Sequence, residues 1–140
     1  MHIYHLHPAV VHFPIAFLVA AVCVQLLDVA QPRHQGLAAA ATWLLWIGTA
    51  LLWVAAGFGL LAQRTAPHVP PAWEVLHEHR TLALWSAATF TVLSFGRFVL
   101  RQRLGKVQLV LALLAVALLL STAYHGGELV YRFGMGVAGD

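Results

Sequence analysis

Four long apolar runs constrain this chain more than any other feature. They extend from about residue 9 to 27, 36 to 62, 76 to 99 and 107 to 124. Apolar runs of roughly 18 residues or more read as membrane spans. Only 9% of the 140 residues are charged, against roughly a quarter in an ordinary soluble domain, while 61% are hydrophobic. A soluble fold would lack the polar groups to cover its surface. The expected fold is therefore all-α: an integral membrane four-helix bundle forming a single domain over residues 1–140.

Short polar segments separate the spans. Asp28 and Gln31–Gln35 close the first, and Gln63 and Arg64 end the second ahead of a stiff loop with Pro67, Pro70 and Pro71. Trp73 to Arg80 is polar on one side and begins the third helix above the hydrocarbon. The tail from His125 to Gly136 is glycine-rich and amphipathic and is expected to fold back along the interface. Arg97, Arg101, Arg103 and Lys106 surround the loop after span three and are half of the eight Lys and Arg. The positive-inside rule makes that loop cytoplasmic and, with four spans, places both termini on the periplasmic side. The net charge of +3 reads as a topology signal, with no nucleic-acid partner implied. The start of the chain lacks the basic segment and small-residue site of a cleaved signal peptide.

On this topology eight of the nine histidines fall at the outer side, with His34 alone on the other. Any one of them reads as an interfacial residue, as do His2, His5, His34 and His68. Their joint placement, with His12 inside an apolar run, points to a site, because ionisable residues in or beside spans are costly. Imidazole suits haem iron, copper and zinc. Facing helices of a bundle can supply axial ligands from opposite sides of a haem. His12, the deepest, is the first candidate ligand and His79 the second, with His77, His125 and His7 in reserve. His77 and His79, two apart, point about 200° from each other and cannot both serve one iron. Gly57 and Gly59 leave room for a ring or for a close helix, and Arg80 and Arg132 could pair with haem propionates. The lone Cys23 and the absence of Cys-x-x-Cys-His exclude covalent c-type attachment.

His7-Pro8-Ala9-Val10-Val11-His12-Phe13-Pro14 resembles the HPxxVHFP opening of a bacterial membrane-protein family catalogued as domain of unknown function 2231. Gly126-Gly127-Glu128-Leu129-Val130-Tyr131 and Gly134-Met135-Gly136-Val137 resemble its closing GGxLVYxxGxGV. The resemblance covers essentially the whole chain. It implies a place in electron transfer, since relatives are fused to c-type cytochrome or Rieske-type domains. Many relatives carry a histidine where this chain has Phe133.

The expected function is a b-type cytochrome or haem-bearing subunit of a respiratory complex in the bacterial inner membrane. It would hold one haem b, or less favourably two, near the periplasmic face. Its partners would be other membrane subunits, a c-type cytochrome, quinone and the lipid bilayer. The alternatives are a non-catalytic accessory subunit and a periplasmic-side copper or zinc site.

Overall fold

The computed structural model describes residues 3–65, 69–100 and 106–136. His2, His68, Arg101, Arg103 and Val137 lie outside the described residues. A short 3-10 turn, Ile3–His5, leads into α1 (Leu6–Val10) and α2 (His12–Ala30). Then come α3 (Leu37–Thr65), a 3-10 turn at Pro70–Ala72, α4 (Trp73–Leu100) and α5 (Lys106–Tyr131). The described residues contain no strand. Four segments, Leu6–Ala30, Leu37–Thr65, Pro70–Val99 and Lys106–Tyr131, are long and apolar enough to cross a membrane. The expected multi-pass helical bundle is thus present. Span one is α1 and α2 together, interrupted at Val11, where Pro14 offers no N–H to the carbonyl of Val10.

The closest helix pairs are the two hairpins, α2 with α3 and α4 with α5. The smaller contacts of α3 with α4 and α2 with α5 join the hairpins into a four-cornered bundle. Leu18 and Phe90, both 0% exposed, meet at its core with Leu45, Leu52, Ala112 and Leu119. Lipid-facing positions carry Trp43, Trp53, Trp85, Phe95 and Phe98. Indole N–H groups tie α3 to α4: Trp46 donates to the Ser94 carbonyl at 3.3 Å and Trp53 to the Thr91 hydroxyl at 2.9 Å.

Helix α2 approaches α3 where Gly48 faces Leu18. A Cβ on Gly48 would stand 2.7 Å from Leu18 Cδ2, with the Leu18 backbone nitrogen 3.2 Å away. Gly48→Ala is therefore expected to destabilise the bundle by about 1–3 kcal/mol, the usual cost of overpacking a tight core. Unfolding in detergent read by far-UV circular dichroism measures this, and unchanged stability would contradict the packing.

Two expectations need correction. Arg97 is not a free loop cation. It is half-buried, donating to the Thr42 hydroxyl (2.9 Å), the Gln108 side-chain oxygen (3.0 Å) and the Ala38 carbonyl (3.1 Å). A guanidinium has five donors in a fixed fork, and here it gathers three helices. Asp28 is 7% exposed with its Oδ1 unbonded among the described residues, within Coulombic reach of Arg97. The tail, too, does not fold back at His125, because α5 continues through Gly126-Gly127 to Tyr131. The reversal comes at Gly134 (φ 68°), where Gly134 N–H bonds the Val130 carbonyl and Met135 N–H the Leu129 carbonyl. The Gly134 bond is that of an αL cap, which requires the left-handed residue that glycine supplies.

Candidate histidine site

The first and last described segments, the end of α3 and the start of α4 share one end of the bundle, the terminal end. His7, on α1, lies in the first turns of span one. Seven residues on is Pro14, and eleven on is Leu18, both buried. Those intervals are close to whole numbers of helical turns, so His7 points inward with them. His79 lies seven before Ser86 and eleven before Phe90, both 0% exposed, and points inward for the same reason.

Each histidine then meets the next helix of its own hairpin in the same way. His7 Nδ1 is 2.9 Å from the Ala55 carbonyl, and His79 Nδ1 is 2.9 Å from the Thr122 carbonyl. A carbonyl only accepts, so Nδ1 carries the proton in both rings and Nε2 keeps its lone pair. One turn beyond each carbonyl is a glycine against which the ring rests. A Cβ on Gly59 would stand 3.0 Å from His7 Cε1, and one on Gly126 would stand 3.0 Å from His79 Cε1. Any larger residue at either position pushes the ring away. The two imidazoles, delivered from separate hairpins, lie 6.1 Å apart between centroids at an interplanar angle of 75°.

Both rings line a cleft that opens at the terminal end, walled also by Tyr4, Gly59, Gly126 and Met135. Its volume is about 90 Å³, and it is partly open to the outside. The tail forms part of its rim. Gly136 (φ 78°) lies so close to span one that a Cβ there would be 3.3 Å from Pro8 Cγ. The glycine-rich closing segment therefore touches the His-Pro opening segment.

The remaining candidates fall outside this pair. His12 is exposed; it lies two residues before Pro14 and so points away from the core. Depth in the span singled it out, but azimuth decides, and the ring that faces inward is His7. His77 is exposed, two residues from His79 on the opposite side of α4. His125 is half-buried, donating Nδ1–H to the Ser121 carbonyl of its own helix (2.9 Å) with Nε2 3.3 Å from Glu78. Arg80 is exposed, and Arg132 pairs with Glu128 at 2.8 Å and covers the Phe133 ring. Gly57 is exposed with nothing within 4 Å of a would-be Cβ, whereas its neighbour Gly59 seats His7. Gly126 was not singled out by the sequence as a site residue. Its signal is its place four residues after Thr122, which repeats the spacing of Gly59 after Ala55.

A family described as "Predicted membrane protein (DUF2231)" matches residues 4–139. No curated protein and no solved structure matches the chain.

Proposed function

The chain belongs to the DUF2231 family of predicted membrane proteins, and from the histidine pair at its terminal end we propose that it is a b-type cytochrome subunit. One observation carries this reading: His7 and His79 reach one cleft from separate hairpins, 6.1 Å apart, with each Nδ1 proton committed to a backbone carbonyl. Metal-bound histidines almost always hold the second ring nitrogen in this way, which fixes the tautomer and the ring orientation.

The donor set fits haem. Two imidazoles sharing one ion at metal–nitrogen distances of roughly 2.0–2.1 Å put their centroids about 6 Å apart. A tetrapyrrole supplies the other four nitrogens, so two protein ligands suffice. Structural zinc asks for about four protein ligands, and the described residues contain no group of three or more His, Cys, Asp or Glu placed to hold a metal. The cleft, at about 90 Å³, is well below the roughly 300–1,000 Å³ of cofactor pockets, so haem entry requires the walls of the cleft to part.

Haem b, when bound, supplies one-electron chemistry at its iron. The chain's own part is positional. The Ala55 and Thr122 carbonyls hold the rings, Gly59 and Gly126 give them room, and Leu76, Leu129 and Val130 keep the cleft apolar. With a single inward-facing pair among the described histidines, one haem is preferred over two. Arg80 is the freer candidate for a propionate, since Arg132 is engaged by Glu128. We place the subunit in the bacterial inner membrane with its termini periplasmic. There it passes single electrons between a membrane quinol or dehydrogenase and a c-type cytochrome. With Arg97 withdrawn into the bundle, Arg33, Arg101, Arg103 and Lys106 carry the orientation.

The test is an absorption spectrum of protein extracted in detergent, oxidised and reduced, with a pyridine haemochrome assay. A Soret band and about one haem per chain are expected; a colourless protein without porphyrin overturns the reading. A second reading, a single copper ion held by the same two imidazoles, is favoured by the small volume of the cleft, about 90 Å³. Stoichiometric copper without porphyrin would select it. A colourless, metal-free chain that copurifies with a respiratory complex would mark an accessory subunit.

A further inference from the structure

The two hairpins follow one plan. His7 and His79 are 72 residues apart, and applying that interval along span one reproduces the pattern of span three. Buried Pro14, Leu18 and Ala21 fall on buried Ser86, Phe90 and Leu93, and exposed Phe13, Ala16, Cys23 and Leu26 fall on exposed Trp85, Ala88, Phe95 and Phe98. Gly59 and Gly126 are 67 residues apart. At that interval Ala41, Leu45, Gly48, Leu52 and Ala55 fall on Gln108, Ala112, Ala115, Leu119 and Thr122, all buried.

Polar contacts repeat as well as burial. The histidine of the first helix bonds a carbonyl of the second at 2.9 Å in both hairpins, and its ring rests on the glycine four residues later, with the same 3.0 Å approach. The interfaces obey the same exchange: the two within hairpins are large, and the two between hairpins are small. Side-chain identities have diverged almost completely. The histidines and their glycines are retained at equivalent places.

We infer that the bundle is two copies of one helical hairpin related by an approximate two-fold axis along its length. The site on that axis presents two equivalent imidazoles, His7 and His79, which would hold a bound metal from both sides. The chemistry follows from the symmetry. A group ligated by one histidine and facing a cavity binds small exogenous ligands, whereas one clamped between equivalent rings exchanges electrons only. No bond to a substrate atom forms or breaks at such a site.

The ligation half of this inference rests on the haem reading, and carbon monoxide tests it. The dithionite-reduced wild-type protein should keep its spectrum under carbon monoxide. His7→Gly and His79→Gly, expressed and extracted in millimolar imidazole so that they keep their haem, should show the wild-type spectrum, and carbon monoxide should displace the imidazole from both with coincident spectra. Carbon monoxide binding by the wild type, or rescue of only one variant, overturns equivalence while leaving haem in place; absence of any Soret band instead strikes the haem reading.

A second measurement needs no cofactor. In a Cys23→Ser background, spin labels at Phe13→Cys/Tyr124→Cys and at Trp85→Cys/Gly57→Cys occupy exposed, equivalent pairs across the axis. Their distance distributions should superimpose, and clearly different distances would overturn the two-fold relation.

Discussion

Replacing His7 or His79 by alanine is expected to abolish the haem spectrum, while His12→Ala leaves it intact. On the haem reading either inward ring would supply half of the protein's ligation, and no other histidine described at this end lines the cleft. Loss of an outer partner of a metal ligand alone typically costs about 10–100-fold in affinity, so loss of a ligand should lower haem occupancy by more than that. His12 is exposed, so its removal costs little in folding or binding. Size-exclusion profiles and helical content separate lost haem from lost fold. The decisive outcome is the ordering: if His12→Ala bleaches the protein and His7→Ala does not, the inward pair has been misassigned.

The second large effect comes from residues with no side chain. Gly59→Val and Gly126→Val should each displace a histidine and remove or shift the haem spectrum, though neither glycine can ligate anything. A single Cβ already comes within 3.0 Å of each ring, and branching adds atoms on the same side. Overpacking of this kind costs about 1–3 kcal/mol, which at roughly 1.4 kcal/mol per decade is up to about a hundredfold in occupancy. Gly57→Ala is the internal control. It is two residues away, with open space around its would-be Cβ, and alanine there should raise stability by about 0.5–1 kcal/mol. If Gly57→Ala and Gly59→Val behaved alike, the seat for His7 would not exist.

How much of this was legible beforehand follows from what each signal encodes. Apolar runs and their polar breaks encode the four spans directly, and the spans came out at nearly their expected places. The tail did not, because Gly126-Gly127 reads as a breaker while packing holds the helix to Tyr131. The azimuth of span one was harder. Its residues are apolar almost all round, so no polar face marks the outside, and depth made His12 look more important than His7. The interval of seven from His7 to Pro14 was available, but only packing shows that Pro14 faces inward. Arg97 read as a topology cation because its partners, Thr42 and Gln108, come from two other helices.

Leu18 and Phe90 fill the axis of the bundle with no exposed surface at all, and below the histidines α4 runs 18 residues to Arg97, about 27 Å of helix. On the proposed topology most of a transmembrane voltage would fall across that segment, with the histidine pair near one edge of the field. Carrying one elementary charge through the whole field is worth about 2.3 kcal/mol per 100 mV; a charge gained or lost at this edge from the same side crosses only a small part of it. The redox equilibrium of a centre held here would therefore be nearly indifferent to whether the membrane is energised.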